Sequence, residues 1–356
     1  MVKKFYKNKK ILVTGATGFK GAWLCFWLNM MGSKVYGIGY NPNKNKDLFY
    51  NLDLQRKINY SLVDVRDLKK IRSKINSIKP EIIFHLAAQP LILDSYKKPY
   101  DTYMINSIGT LNIMEASKDI NSLKAVVCVT SDKCYQSNNS KIGFLENDKL
   151  GGEDPYSGSK ANAEIIVNTY YKSFFKLNKK CGVATGRAGN VIGGGDWSEN
   201  RLIPDAIRSI HKKKTIFLRN PYFNRPWQHV LEPLYGYLIL ASKLYKNPNK
   251  FSGGWNFGSK KNTVTDVLTV VNQIINNWGD GSVKFYKKKK YYEQENLQLN
   301  INKAKKILKW EPSWSIKKSI NKTVEWYKDY LVNKKNAEYI TKKQIIEYLN
   351  DIKKKN

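Results

Sequence analysis

Tyr156 and Lys160 stand four residues apart in Tyr156-Ser-Gly-Ser-Lys160, a spacing that puts both side chains on one face of a helix. An ammonium close to a phenol favours the phenolate. A phenolate can take a proton from a hydroxyl while hydride leaves the same carbon. In a chain with 23 Tyr and 62 basic residues such a pair arises easily by chance, and order along the sequence gives it weight. A glycine loop, Gly15-Ala-Thr17-Gly18-Phe19-Lys-Gly21, comes first; Thr130-Ser131 then ends a strand; Tyr156 and Lys160 follow. Glycines between a strand and a helix let the backbone approach a pyrophosphate, whose charge sits on helix N-terminal amides. The spacing is GxxGxxG rather than GxGxxG, and its strand-loop-helix setting makes a dinucleotide the expected ligand.

No acid follows about 20 residues later to meet a ribose 2′-hydroxyl. The second strand ends at Gly39-Tyr40-Asn41, the nearest acid is Asp47, and Lys44 and Lys46 could meet a 2′-phosphate. The residues alone leave NAD and NADP both open. Asp64, after the third strand, is placed to contact an adenine edge or to cap a helix.

The elements that must position these groups alternate strand and helix, the sign of a parallel sheet. Strands are expected at residues 11–14, 34–40, 59–63, 81–85, 125–130 and 182–187, with helices at 20–31, 67–77, 99–117 and 155–175. The strand at 81–85 is nearly continuous in apolar residues, as a strand covered on both faces should be. Beyond Ala188, Gly193-Gly194-Gly195 and prolines at 204, 221, 226 and 233 punctuate shorter elements before a helix at 315–330 and a Lys-rich amphipathic tail at 334–356. The fold class expected is α/β, a Rossmann-like doubly wound parallel sheet with a smaller mixed C-terminal substrate domain. Residues 1–188 and 227–257 form the first part, 189–226 and 258–332 the second, and 333–356 the tail.

Composition excludes several classes. With 356 residues and 42% hydrophobic content the chain can bury a real core. No run of about 18 apolar residues exists to span a membrane, and the N-terminus lacks an apolar signal region. Four scattered cysteines without Cys-x-x-Cys spacing read as a reduced, cytoplasmic chain with no metal site. The formal charge of +33 suggests nucleic acid at first sight. Yet 54 of the 62 basic residues are Lys, spread along the chain, and eight are Arg. A nucleic-acid patch would be concentrated and richer in Arg, so the Lys read as solvated positions.

At this point the chain resembles the extended short-chain dehydrogenases/reductases, and within them the branch of nucleotide-sugar 4,6-dehydratases that act on CDP-glucose. The resemblance rests on His85-Leu-Ala-Ala-Gln89, Val129-Thr-Ser-Asp-Lys-Cys-Tyr135, Gly151-Gly-Glu-Asp-Pro-Tyr-Ser157, Arg187-Ala-Gly-Asn-Val-Ile-Gly-Gly-Gly-Asp-Trp197, Arg201-Leu-Ile-Pro-Asp205, Arg225-Pro-Trp-Gln-His-Val230, Trp255-Asn-Phe-Gly258 and Trp310-Glu-Pro312, in order. It implies oxidation at sugar C4, loss of the C5 proton and of water from C6, and return of hydride to C6, with NAD recycled. Ser131, Asp132, Lys133, Tyr156 and Lys160 are the implied catalytic group. Ser131-Asp132-Lys133 stands where dTDP-glucose dehydratases carry Thr-Asp-Glu. Asp132 becomes the acid for the C6 oxygen, and Lys133 replaces the C5 base, so it needs a depressed pKa or a stabilising role at the enolate. An epimerase would need no acid at position 132, and a non-catalytic nucleotide- or RNA-binding protein would need none of these groups.

The resemblance also implies NAD contacts from Gly15, Thr17, Gly18, Phe19, Gly21, Asp64, Val65, Leu86, Ala87, Ala88, Gln89, Asn106, Tyr156 and Lys160. Asn190, Arg201, Leu202, Arg219, Asn220, Arg225 and Gln228 are the expected substrate contacts. In a Lys-dominated chain, Arg at 219 and 225 is informative, because a forked donor suits a diphosphate. Arg187 is placed either for the site or for holding a strand end, whereas His85 and His229 read as structural. The helices at 99–117 and 155–175 imply a homodimer through a four-helix bundle.

Overall fold

The computed structural model describes residues 2–40, 42, 47–137, 142–177, 181–260, 265–286 and 297–355. Seven parallel strands form its centre: β1 (Lys10–Thr14), β2 (Lys34–Gly39), β3 (Asn59–Leu62), β4 (Ile82–His85), β5 (Ala125–Val129), β6 (Gly182–Arg187) and β7 (Gly253–Asn256). Their order is β7-β6-β5-β4-β1-β2-β3. Strand order reverses between β1 and β4, and in such a sheet a ligand crevice opens outside the carboxyl ends of the strands there. Side chains alternate along each strand. Ile11, Val13, Ile82, Phe84 and Val127 enter one core, and Leu12, Ile83, Val126 and Cys128 enter the other. The seventh strand, absent from the strands expected above, pairs with β6 at the sheet edge.

Helix α1 (Phe19–Met30) is buried from Gly21 to Leu28, almost all round, as its uninterrupted apolar sequence requires. Helix α2 (Leu68–Ile78) is capped by Asp67, whose carboxylate accepts from Lys70 N–H at 3.0 Å. The helix expected at 99–117 is continuous in three pieces, Pro99–Tyr103, a π-turn Met104–Ile108, and Gly109–Ser117. Together these are α3. A similar π-turn, Tyr171–Phe175, extends α4 (Pro155–Tyr170).

The remaining chain covers the crevice. Helices α5 (Leu202–His211), α7 (Val267–Trp278) and α8 (Ile316–Leu331) surround short paired strands, while α6 (Leu231–Lys246) packs on β5 and β6 of the central sheet. The Lys-rich segment read as a tail is helix α9 (Ala337–Lys355), and it is docked. Ile340, Ile345 and Tyr348 are buried in the main core, with Lys left on the outer face. The segment's Lys content obscures this apolar stripe. Among the described residues no helix is long and apolar enough to cross a membrane, and all four cysteines are buried and free.

Candidate active site

A cleft of about 920 Å³ lies at the carboxyl ends of β1, β4, β5 and β6. The glycine loop forms its inner floor. Gly15 has φ +70°, and a Cβ there would lie 2.7 Å from Ala87 N, so this turn admits no side chain. A Cβ on Gly21 would collide with the Gly15 carbonyl, and one on Gly39 would press on Thr17 at 2.6 Å. Gly18 caps α1 without a side-chain bond, leaving the first helical amides for an anion. Gly15, Thr17, Phe19, Asp64, Val65, Leu86, Ala87 and Ala88 all line this cleft. A cradle bare of side chains, followed by an apolar-walled crevice, fits a dinucleotide.

Asp64 is not the helix cap, a role that Asp67 fills. Its carboxylate pairs with Arg66 at 2.7 Å and accepts the Arg66 N–H at 2.9 Å. Hydrogen bonds from Arg66 hold the Asp64 carboxyl below its ordinary range, although burial opposes them. Gln89 and Asn106 do not line the cleft. Asn106 accepts from Gln89 N–H at 2.8 Å and donates to the Gln89 carbonyl and to Ser159. The Gln89 side chain is turned to the Leu91 carbonyl and Thr102. Both residues fix the loop after β4 to α3 and α4, and so act behind the cofactor surface. Lys44 and Lys46 lie outside the described residues.

The catalytic candidates converge at the ends of β5 and α4. Asp154 caps α4 through Ser157 N–H at 2.9 Å, and Pro155 occupies the first turn. This start turns Tyr156 and Lys160 together toward the turn after β5. Lys160 donates to the Val129 carbonyl at 3.4 Å. Burial pushes the Tyr156 phenol up to about 12, while the Ser131 hydroxyl and Arg201 pull it down. Lys160 itself is driven down to about 8 by burial.

Asp132 is 3% exposed. One carboxylate oxygen accepts from Ser131 at 2.9 Å, and the other is buried with no partner among the described residues. Burial raises this carboxyl above its ordinary range against the pull of Lys133, Ser131 and Arg225. A carboxyl so placed can hold a proton and deliver it. Lys133 lines the same cleft, and its backbone N–H is anchored on Ser131.

Behind this group lies a buried ion pair. Glu164 accepts from Arg187 at 2.6 Å, Thr130 at 2.5 Å and Thr185 at 2.7 Å. Arg187 also donates to the Tyr135 hydroxyl and the Glu146 carbonyl. It therefore ties strand ends together and leaves the cleft to others. His85 bridges Thr14 and Thr110, and burial takes both His85 and His229 down to about 3, so both are neutral structural groups.

At the outer end, Asn190 sits at φ +46° with a buried side-chain amide nitrogen that has no partner among the described residues. Arg201, Leu202, Arg219, Asn220 and Arg225 line the cleft. Arg201 is held by Asp196 at 3.0 Å. Gln228 does not line the cleft; its amide donates to the Gly189 and Phe257 carbonyls, holding the loop that carries Asn190. Sequence reasoning missed Lys20, which lines the cleft floor, and Arg208, which braces the Trp197 and Ser198 carbonyls. A basic residue at the mouth of a glycine loop was the available signal for Lys20.

Comparison with known proteins agrees with this geometry. Residues 12–323 match the family model for GDP-mannose 4,6 dehydratase. The CDP-glucose 4,6-dehydratase of Salmonella typhimurium is 40% identical over 352 residues, 98% of each chain. Human dTDP-D-glucose 4,6-dehydratase is 25% identical over 93% of each chain. A dTDP-glucose 4,6-dehydratase from Streptomyces venezuelae, solved with NAD bound, superposes with TM-score 0.77 at 19% identity, covering 90% of this chain and 97% of that one. With its glycine cradle, buried acid and paired Tyr and Lys in one cleft, the chain belongs to the GDP-mannose 4,6-dehydratase family, among the extended short-chain dehydrogenases/reductases.

Proposed function

We propose that this chain converts CDP-glucose to CDP-4-keto-6-deoxyglucose and water. The observation that carries the reading is the Asp132 carboxyl, buried beside the Tyr156 phenol with one oxygen unpartnered among the described residues and its pKa raised. A hydride-transfer enzyme alone needs no such acid. The CDP-glucose 4,6-dehydratase relative at 40% identity supports the nucleotide. NAD, held by the 15–21 loop and the walls after β3 and β4, supplies the hydride acceptor and donor when bound.

The protein's own groups divide the work. Tyr156, as the phenolate that Ser131 and Arg201 stabilise, takes the C4 hydroxyl proton and becomes neutral. The resulting ketone acidifies C5–H; the Lys133 amine takes that proton, faces the enolate as the ammonium so formed, and returns the proton to C5 when hydride reaches C6. Asp132 donates to the departing C6 oxygen. Arg219 and Arg225 hold the diphosphate, and Asn190 meets the sugar. Residues 1–188 with 227–257 carry the cofactor, and 189–226 with 258–332 carry the nucleotide sugar.

A second copy of the chain is the partner. Tyr100, Tyr103, Ile165 and Phe174 are exposed on the outer faces of α3, α4 and the π-turn after α4, which suits a bundle of four helices around a two-fold axis.

The reading is tested by offering CDP-, dTDP-, UDP- and GDP-glucose and measuring the 4-keto product. Turnover of CDP-glucose is expected, with deuterium at C4 recovered at C6. Preference for another nucleotide overturns the substrate, and stoichiometric release of NADH overturns the dehydratase. In single turnover, Tyr156→Phe stops all steps, whereas Asp132→Asn accumulates NADH and slows dehydration by about 10²–10⁴-fold.

A further inference from the structure

Lys20 occupies the second position of α1, at the positive end of the helix dipole, where a cation is unfavourable. Most Lys in this chain read as solvated, but Lys20 is half-buried and lines the cleft. Four elements face it: Lys160 on α4, Arg201 before α5, Asp132 after β5 and Tyr237 on α6. Its Nζ lies 5.8 Å from the Tyr237 ring centroid, and among the described residues it makes no hydrogen bond or ion pair. Of the three basic groups, Arg201 is paired with Asp196, and Lys20 and Lys160 face the buried Asp132 carboxyl where the sugar must be oxidised.

We propose that Lys20 sets the balance between oxidised and reduced cofactor, its ammonium disfavouring the cationic nicotinamide ring and favouring the neutral reduced one. The inference rests on the dehydratase reading above. Hydride must pass between the cofactor and the carbon whose hydroxyl meets Tyr156, so the reactive ring shares the centre with Lys20. When the carbinol becomes a ketone, two electrons and a proton leave as hydride and the hydroxyl proton goes to Tyr156. One positive charge disappears from the ring, and Lys20 can take a proton from solvent in compensation.

The reaction gives this a purpose. A dehydratase must keep its cofactor reduced while the C5 proton and the C6 oxygen leave, and an early return of hydride to C4 only restores substrate. Burial, reinforced by Lys160 and Arg201 and opposed by Asp132, brings Lys20 down to about 7. It therefore changes charge near neutrality. The preference for reduced cofactor is present below that value and lost above it.

The test measures dissociation constants of NAD and NADH by calorimetry from pH 6 to 9, without sugar, for the wild type, Lys20→Met and Lys20→Arg. In the wild type the preference for NADH should fall about tenfold as pH rises through 7. Lys20→Met should lose that component, keeping only change near 8 from Lys160. Lys20→Arg should keep the preference at pH 9. Equal weakening of both cofactors in Lys20→Met would make Lys20 a phosphate contact and overturn the proposal, as would an unchanged ratio. If Lys20→Met binds neither, Lys20→Arg decides: a wild-type titration at pH 7 in that variant also overturns it. Absence of NAD binding or of CDP-glucose turnover in the wild type would instead count against the dehydratase reading.

Discussion

The Asp132 carboxylate fills the space that a side chain on residue 189 would need; a Cβ built on Gly189 collides with both carboxylate oxygens. The acid's position is thus set by an absence on the facing loop. Gly189→Ala should displace Asp132 while leaving Tyr156 in place. Dehydration should fall about 10²–10⁴-fold, with NADH building up in single turnover as the sugar is oxidised but not dehydrated. Normal dehydration in this variant would show that the acid acts from another position.

Breaking the buried Glu164–Arg187 pair leaves a guanidinium uncompensated. Glu164→Gln should lower stability by about 3–5 kcal/mol, read as a reduced denaturant midpoint. Arg187 is 4% exposed, so water cannot replace the lost partner. An unchanged midpoint would mean that Thr130, Thr185 and Tyr135 hold these strand ends unaided.

Glu232, fully buried on α6, accepts from Ser313 N–H, Trp314 N–H and the Tyr348 hydroxyl at 2.6 Å. Burial pushes its carboxyl from 4.5 up to about 7 against these three donors. The folded protein therefore holds a proton that the unfolded chain has released. This contribution is complete below about pH 4.5 and is lost as pH rises to about 7, costing on the order of 3 kcal/mol. Chemical denaturation at pH 5 and pH 8 should show that loss in the wild type. Glu232→Gln, which cannot ionise, should narrow the gap; an equal gap in both proteins would place the titration elsewhere.

Ile165 is 52% exposed at the centre of the outer face of α4. Ile165→Glu should turn a dimer into a monomer in sedimentation velocity, because unpaired carboxylates would face each other across the two-fold axis. A monomeric wild type would remove the proposed partner.

Strand positions were legible because buried parallel strands are short apolar runs; residues 182–187 coincide with β6. Side-chain roles that depend on distant partners were not. Glu164 reads as one acid on a helix, and only the fold brings Arg187 to it, 23 residues on. The motif containing Gln89 marks the right loop, but bonds to the Leu91 carbonyl and Thr102 turn its side chain away from the cleft. Lys20 is invisible to a reading that weighs glycine spacing alone, since its surroundings come from four separate elements.

The bond from Tyr348 to Glu232 spans 116 residues. During synthesis Glu232 is made 116 residues before its Tyr348 donor. Trp27, Tyr235 and Trp314, whose rings meet Tyr348, stay uncovered for that interval. Without α9 the three rings would lose their Tyr348 contacts and the Glu232 carboxyl its hydroxyl donor, so this helix closes a core assembled from three distant parts of the chain.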